Sequence, residues 1–191
     1  MDTILIVPGL WDSCPPHWQS WFEEQLPHSR RVTQRDWSKP DLPAWSSAIR
    51  RELDRAPGRS WIVAHSFGCL AAVHAGGSAA ARVAGAMLVA PAEPSAFGIE
   101  SALPRVRLGF PALLVASEND NWMSLGKARS WALRWGAELV NAGAVGHINV
   151  ASGHGPWPQG ISLLKRLQKT PHAEPQAAQS CPVLDAPAAL R

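Results

Sequence analysis

The stretch WIVAHSFGCLAAVHAGG, residues 61–77, passes from a continuous apolar run through a short polar turn into a segment of helical composition. The run WIVA shows no alternation with polar residues, which is typical of a strand covered on both faces. The turn holds Ser66 beside Gly68, and the small apolar residues that follow continue as a helix. The stretch therefore predicts a strand, a tight turn and a helix, which is the unit from which parallel sheets are built.

Comparable apolar runs recur along the chain and alternate with segments of helical spacing. The five further runs are ILIV (4–7), RVTQ (31–34), GAMLVA (85–90), ALLVAS (112–117) and AELV (137–140). The segments with helical spacing are 15–26, 42–54, 124–136 and 160–168. This alternation predicts an α/β fold, a doubly wound sheet of about six mostly parallel strands with helices on both faces. The weakest run, RVTQ, is expected at an edge of the sheet.

One compact domain accounts for most of the 191 residues. Residues 1–168 carry all the predicted strands and helices. From Lys169 the sequence is rich in Ala and Pro and has no amphipathic period, so residues 169–191 are predicted to form a disordered tail. Residues 92–111 also lack periodicity, and they are expected to form a loop near the mouth of a site.

Composition and charge exclude several classes of protein. The net charge is only +3, and Lys and Arg are dispersed along the chain, so the sequence does not predict a nucleic-acid-binding protein. No apolar run is long enough to span a bilayer and the N-terminus lacks secretory features, so we expect a cytoplasmic protein. The three cysteines, Cys14, Cys69 and Cys181, have neither the spacing of a disulfide framework nor that of a zinc site. No metal and no cofactor are therefore expected.

Three polar residues follow predicted strands at the sheet edge where ligands bind in such folds. Ser66, Asp120 and His147 follow the third, fifth and sixth apolar runs. A serine hydroxyl is a weak nucleophile that needs an adjacent base, and the imidazole of that base needs a carboxylate on its second nitrogen. Their chain order, Ser, Asp, His, is the order of an α/β-hydrolase triad. The pattern predicts Ser66 as nucleophile, His147 as base and Asp120 as the acid that orients the base.

Less specific interpretations remain open for each of these residues. The alternative for Ser66 is that it only caps the helix that follows it. Glu118 competes with Asp120 for the role of acid, and His154 competes with His147 for the role of base. Asp120 is preferred because it lies deeper in its loop, and His147 is preferred because it lies nearer its strand.

The negative charge of an acyl-transfer intermediate needs backbone N–H groups to stabilise it. The N–H of Phe67, next to the nucleophile at the start of a helix, is one candidate. The second is expected from the loop VPGLWDS after the first strand, where the N–H of Leu10 is favoured over that of Trp11. Gly68 provides the small residue that the turn needs two positions after the nucleophile, and Ala64 stands two positions before it.

The residues expected around the pocket are mostly tryptophans. Trp11, Trp37 and Trp122 each follow a predicted strand, which places them to surround a cleft that favours an apolar acyl or aromatic group. The alternative is that these rings only pack against surface helices. His65 is expected to buttress the turn, because the side chain beside Ser66 points away from it.

Several segments resemble one small family of serine hydrolases. They are VPGLWDSCPPHWQSWFE, RDWSKPDLPAW, VAHSFGCLAA, VAPAEP, VASENDNW and GHINVASGHGPWPQG, which together run from about residue 3 to residue 168. The family is typified by retinoblastoma-binding protein 9 and by YdeN-like bacterial proteins. The resemblance implies a minimal, lidless α/β-hydrolase fold whose triad is Ser66, Asp120 and His147. The sequence departs from the family pattern at Asn121, where a Pro commonly follows the acid, and at Phe67, which is bulkier than usual.

Together these features predict a serine hydrolase that cleaves a carboxylic ester, or a thioester or activated amide, through an acyl-enzyme intermediate. The expected partner is a small-molecule acyl substrate. The alternative is a binding module on a hydrolase fold that has lost turnover, because fold does not fix function. A dehalogenase or an epoxide hydrolase is excluded, since those enzymes need a carboxylate where Ser66 stands.

Overall fold

Strands and helices alternate along residues 2–170, which are the residues that the computed structural model describes. The strands are β1 (Thr3–Val7), β2 (Ser29–Arg31), β3 (Ser60–His65), β4 (Val83–Val89), β5 (Ala112–Ala116) and β6 (Glu138–Asn141). The helices are α1 (Trp18–Gln25), α2 (Leu42–Arg55), α3 (Phe67–Ala79), α4 (Leu125–Trp135) and α5 (Pro158–Gln168). All six strands are parallel and form one sheet in the order β2-β1-β3-β4-β5-β6.

The order of the strands reverses at β1. The chain passes from β1 to β2 on one side and then to β3 on the other side of β1, and the helices that follow β1 and β3, α1 and α3, lie on opposite faces of the sheet. The pairing of β1 with β3 continues to their carboxyl ends, where Val7 lies opposite Ala64. The residues that follow these two strands are therefore neighbours in space.

Two apolar layers cover the two faces of the sheet. On β1, Leu5 and Val7 belong to one layer, and Ile4 and Ile6 belong to the other. Helices α2, α3 and α4 pack in the first layer, while α1 and α5 pack in the second. Because the central strands are covered on both faces, their sequences are continuous apolar runs. The predicted α/β fold with helices on both faces of a parallel sheet is confirmed.

Two elements differ in position from the prediction. β2 begins at Ser29 rather than at residue 31, and it is the expected edge strand. Its side chains are polar and at most partly buried, so pairing with β1 determines its limits and its own pattern does not. α1 begins at Trp18 rather than near Pro15, because the imidazole of His17 caps the helix by accepting a backbone N–H at 3.1 Å.

The two segments without periodicity have different outcomes. Residues 92–111 contain two short 3-10 turns, Pro94–Phe97 and Glu100–Ala102, so this loop is partly regular. Of the predicted tail, residues 171–191 lie outside the described residues. Within residues 2–170, no helix combines the length and the apolar character that crossing a membrane would require.

Candidate active site

The turn between β3 and α3 holds Ser66 in a strained backbone conformation. Its φ of 54° and ψ of −125° are unusual for a residue other than glycine. The N–H of Ser66 donates to the carbonyl of Val89 on β4 at 3.1 Å, which anchors the turn to the sheet. The Ser66 side chain makes no capping hydrogen bond to α3. Ser66 therefore occupies the N-cap position of α3 without capping the helix through its side chain, and its hydroxyl is available for another role.

The Ser66 hydroxyl begins a chain of hydrogen bonds. Nε2 of His147 lies 2.9 Å from Ser66 Oγ. On the other side of the ring, Nδ1 of His147 lies 2.9 Å from each carboxylate oxygen of Asp120. With the Nδ1 proton donated to Asp120, the Nε2 lone pair faces the hydroxyl and can accept its proton. The structure thus brings together the three residues that the sequence proposed as a triad.

The loops that carry Asp120 and His147 are tied to each other. Asp120 Oδ1 also accepts the N–H of Trp122 at 2.8 Å, and the Asp120 side chain is only 2% exposed. The side chain of Asn119 accepts the N–H of Gly146, directly before the histidine, at 2.7 Å. These bonds hold the carboxylate and the imidazole in fixed positions relative to each other.

The two rival residues make contacts elsewhere. The carboxylate of Glu118 accepts a hydrogen bond from the Asn141 amide at 2.8 Å. The ring of His154 packs edge-on against Trp157, with the centroids 6.2 Å apart. Neither rival enters the chain of hydrogen bonds that starts at the serine hydroxyl.

The loop after β1 is pressed against the turn that holds Ser66. A Cβ on Gly68 would lie 2.3 Å from the carbonyl oxygen of Pro8, and a Cβ on Gly9 would lie 2.8 Å from the Cβ of Ser66. Loop and turn therefore approach too closely at these two positions for any side chain. The close approach brings Leu10 to the same cavity as the serine.

Two backbone N–H groups beside Ser66, those of Leu10 and Phe67, have no hydrogen-bond acceptor within residues 2–170. Phe67 is the first residue of α3, where helix geometry leaves the N–H without an intrahelical partner. The N–H of Trp11 donates to the carbonyl of Trp37 at 3.0 Å. Of the two candidates in the β1 loop, Leu10 is therefore the one whose N–H is available to an oxyanion.

Arg31 at the end of β2 holds the outer side of the same loop. Its guanidinium donates to the Asp12 carboxylate at 2.9 Å and to the Ser13 carbonyl at 2.8 Å, and it also bonds Ser20 and Glu23 on α1. Burial alone would lower the pKa of Arg31, but the carboxylates of Glu23 and Asp12 raise it on balance. This charged side chain therefore joins the loop to both α1 and β2.

A cavity of about 310 Å³ lies over the serine hydroxyl. Its lining comes from the loop after β1, the turn after β3, and the loops after β5 and β6: Leu10, Trp11, Asp12, Cys14 and His17; His65 and Ser66; and Trp122, His147, Asn149, Val150 and Ala151. Trp11 is 75% exposed and Trp122 is 47% exposed, so both rings lie at an open rim. The volume suits a small ligand.

Of the four residues predicted around the pocket, Trp11, Trp122 and His65 line this cavity and Trp37 does not. The prediction for Trp37 is wrong. Its ring packs edge-on against Trp45 with the centroids 5.6 Å apart. The reason is topological, because β2 lies beyond β1 and the residues after β2 are one strand farther from the nucleophile.

His65 supports the loop that carries His147. Its Nε2 donates to the backbone carbonyl of His147 at 2.9 Å. Burial, followed by the proximity of His147, lowers the pKa of His65 well below 6.5, so the ring stays neutral. His65 therefore does more than buttress its own turn, because it also fixes the backbone of His147.

The sequence interpretation missed six of the lining residues: Asp12, Cys14, His17, Asn149, Val150 and Ala151. Of these, His17 is a buried titratable side chain. It is only 5% exposed, and its ring lies edge-on to His65 with the centroids 4.9 Å apart. Burial first, and the charge of Arg31 second, lower the pKa of His17 to about 4. No sequence signal marked this position, because Pro15 and Pro16 predict a helix that begins before His17.

The two departures from the family pattern lie outside the cavity. Phe67 is fully buried, and its ring packs edge-on against Phe97 with the centroids 5.0 Å apart. Asn121 is exposed and does not line the cavity. The ring of Phe97 also stacks parallel to Trp122, with the centroids 6.4 Å apart. The segment 92–111 thus supports the rim of the cavity without lining it.

The remaining candidate ligands do not form a metal site. Within residues 2–170, no group of three or more His, Cys, Asp or Glu side chains is arranged to hold a metal ion. Cys69 is fully buried, and burial raises the pKa of its thiol. Cys14 is an exposed free thiol on the cavity wall.

The chain is similar in sequence to one protein family and in structure to several hydrolases. A family model described as serine hydrolase matches residues 4–166. A YdeN-like hydrolase from Pectobacterium atrosepticum is 44% identical, with a TM-score of 0.84 over 87% of this chain and 90% of that chain. The ydeN gene product of B. subtilis is 18% identical, with a TM-score of 0.74 over 87% and 98% of the two chains. Esterase 2 of Thermogutta terrifontis, phosphorylated by paraoxon, is 17% identical, with a TM-score of 0.62 over 87% and 79%. A comparison with curated proteins found no match.

Proposed function

The chain belongs to the serine hydrolase family, and from that premise we propose that it cleaves a carboxylic ester through a Ser-His-Asp triad and an acyl-enzyme intermediate. The observation that carries the proposal is the continuous series of 2.9 Å contacts from Ser66 through His147 to Asp120. The proposed partner is a small-molecule acyl substrate, in keeping with a cavity of about 310 Å³.

Acylation begins when Ser66 Oγ attacks the ester carbonyl carbon. His147 Nε2, 2.9 Å away, takes the hydroxyl proton, and the imidazolium that results is stabilised by Asp120 on the other side of the ring. The tetrahedral intermediate then collapses, the bond to the alcohol oxygen breaks, and His147 gives its proton to that oxygen. The products of this step are the free alcohol and an acyl ester of Ser66.

The developing negative charge on the carbonyl oxygen is assigned to two backbone donors. We assign it to the N–H groups of Leu10 and Phe67, which have no other acceptor in the described chain. Fixed donors of this kind cost no reorganisation when the charge appears, and each one contributes about 10²- to 10³-fold to kcat in acyl-transfer enzymes. Trp11 is not assigned this role because its N–H already donates to a carbonyl.

Deacylation repeats the same proton transfers with water as the nucleophile. His147 removes a proton from water, the hydroxide attacks the acyl carbon, and the proton returns to Ser66 Oγ as the acid leaves. The exposed rings of Trp11 and Trp122 leave the mouth of the cavity open, so water reaches the intermediate.

A cytoplasmic location forms part of the proposal. Its support is that both cysteines within residues 2–170, the exposed Cys14 and the buried Cys69, are free thiols, which a reducing compartment preserves.

The test is covalent labelling of the serine with a fluorophosphonate probe, combined with hydrolysis of 4-nitrophenyl butanoate. The native protein should form a bond from Ser66 Oγ to phosphorus with loss of fluoride, and Ser66→Ala should not. Asp120→Asn should lower kcat by about 10³- to 10⁴-fold, because the histidine loses the partner that fixes its tautomer.

The matched control is Glu118→Gln, two residues before Asp120 in the same loop but bonded to Asn141. It should hydrolyse the ester at nearly the native rate. A folded native protein that neither reacts with the probe nor hydrolyses the ester would contradict the proposal and favour the binding-module alternative. Equal losses in Asp120→Asn and Glu118→Gln would contradict the assignment of the acid.

A further inference from the structure

The cavity wall that follows β1 is partly polar, and the proposed mechanism leaves one of its polar side chains unused. Leu10 supplies an oxyanion donor, and the Asp12 carboxylate is paired with Arg31 at 2.9 Å. His17 lies on the same wall and takes no part in the triad or in the oxyanion site.

One ring nitrogen of His17 is committed and the other is available. Nδ1 accepts the N–H of Gln19 at 3.1 Å, so in the neutral ring the proton is on Nε2. Nε2 has no hydrogen-bond acceptor within residues 2–170. It is also not one of the fully buried polar atoms that lack a partner in that part of the chain, so it is accessible. Because the ring is 5% exposed and lines the cavity, its small accessible part presents an N–H donor there.

The chemistry of this wall suits an uncharged oxygen. Burial, followed by the charge of Arg31, lowers the pKa of His17 to about 4, so the ring is neutral at physiological pH. Among the described residues that line the cavity there is no Lys or Arg, whereas the Asp12 carboxylate is present. An anion would meet no compensating charge, and an apolar group would leave a desolvated donor without a partner.

The geometry points to His17 as a specificity-determining residue whose Nε2–H donates to an uncharged oxygen in the acyl chain of the substrate. The oxygen belongs to an ether, a hydroxyl or a carbonyl group. We assign the oxygen to the acyl chain because the alcohol oxygen must lie beside His147 Nε2 to receive its proton, whereas His17 lies on the wall that follows β1, against His65. This inference rests on the proposed function, since it describes the ester that Ser66 attacks.

A pair of esters of equal chain length isolates this contact. In 4-nitrophenyl methoxyacetate an ether oxygen replaces one methylene of 4-nitrophenyl butanoate. The two esters differ in intrinsic reactivity, but this difference cancels when the ratio of their kcat/KM values in a variant is divided by the ratio in the native protein.

Two substitutions separate the donor from the helix cap. His17→Asn keeps an acceptor near the position of Nδ1, so α1 remains capped, but it removes the Nε2–H. His17→Gln places an amide N–H near the position of Nε2, but it loses the acceptor that caps the helix.

In the native protein and in His17→Gln, the ether ester should be preferred. In His17→Asn, the preference should fall about fivefold, which is the effect of losing one uncharged hydrogen bond. The melting temperature should follow the opposite order, with His17→Gln below His17→Asn. A preference that is retained in His17→Asn, or that follows the melting temperature, would overturn the inference and leave His17 with a structural role only.

Two controls distinguish a failure of this inference from a failure of the proposed function. Ser66→Ala should hydrolyse neither ester, and that result supports the proposed function whatever the ratios show. Butyl butanoate and 2-methoxyethyl butanoate carry the same methylene-to-ether change on the alcohol side, and His17→Asn should not alter their ratio. Sensitivity of this second pair in place of the first would overturn the assignment to the acyl chain.

Discussion

Replacing Gly68 by Ala should move the proposed nucleophile, Ser66, away from the proposed oxyanion donor in the loop after β1. The added Cβ would lie 2.3 Å from the Pro8 carbonyl oxygen and 2.7 Å from the Val7 carbonyl oxygen, both of them backbone atoms. Ordinary carbon-to-oxygen contacts are at least about 3.3 Å, so α3 and the loop after β1 must move apart by about 1 Å. The nucleophile turn and Leu10 lie on the two sides of this contact.

The energetic cost of this movement exceeds the gain in helix propensity. Overpacking of this kind costs about 1–3 kcal/mol, and replacing Gly by Ala in a helix recovers at most about 1 kcal/mol. The net loss of about 1–2 kcal/mol corresponds to a melting temperature lower by about 5 °C for a domain of this size. A displacement of about 1 Å at the reacting groups should also lower kcat by about 10²-fold.

The assay is thermal unfolding together with steady-state hydrolysis of 4-nitrophenyl butanoate. Gly126→Ala is the matched control, because Gly126 is also helical and a Cβ there would meet no atom within 4 Å. This control should keep native kcat and a melting temperature at or above the native value. If Gly68→Ala behaved like Gly126→Ala in both measurements, the argument that backbone contact positions the oxyanion donors would be refuted.

Two other parts of the structure give measurable predictions. Arg31→Gln should lower kcat several-fold and the free energy of unfolding by about 1–3 kcal/mol, because the loop that holds Asp12 loses the side chain that anchors it. The control is Arg55→Gln, at an exposed arginine, which should change the free energy of unfolding by less than about 0.5 kcal/mol. Equal effects in urea unfolding and kinetics would contradict this role for Arg31. The pKa of His17 is about 4 in the folded protein against 6.5 in the unfolded chain, so the unfolded chain binds more protons between these two pH values. The contribution of His17 to the free energy of unfolding is therefore present above pH 6.5 and is lost as the pH falls towards 4. Between pH 7 and pH 5, the free energy of unfolding measured in urea should fall by about 2 kcal/mol less in His17→Asn than in the native protein. An identical fall in the two proteins would contradict a buried neutral His17.

The sequence predicts the sheet well because the central strands are buried on both faces. ILIV and WIVA have to be apolar throughout, and this requirement makes them visible without any knowledge of their partners. The proximity of Ser66, Asp120 and His147 follows from the same fact, since residues after parallel strands share one edge of the sheet. Strand burial and chain order were therefore sufficient to propose these three residues.

The rest depends on pairings that the linear pattern does not contain. β2 is polar, so only its hydrogen bonds to β1 determine its limits. The choice between Leu10 and Trp11 depends on the carbonyl of Trp37, which arrives from a different loop to accept the N–H of Trp11. The place of His17 at the cavity depends on a cap that delays the start of α1 beyond the prolines.

Backbone strain is concentrated around the cavity and is held there by contacts from outside it. Within residues 2–170, the residues other than glycine with positive φ are Trp11, Asp12, His28, Ser66, Ala90 and Ile148. All of them except His28 lie near the cavity: Ile148 is next to His147, and the others follow the carboxyl end of β1, β3 or β4. Arg31 holds Asp12, the Val89 carbonyl holds Ser66, and the indole N–H of Trp18 donates to the Ile148 carbonyl at 2.8 Å. Each strained residue costs about 1–3 kcal/mol, so these anchors are needed to keep the geometry in the absence of substrate. The consequence is a site whose proposed nucleophile, base and oxyanion donors are positioned before binding, so that on the proposed function substrate selection depends on the lining side chains and not on closure of the loops.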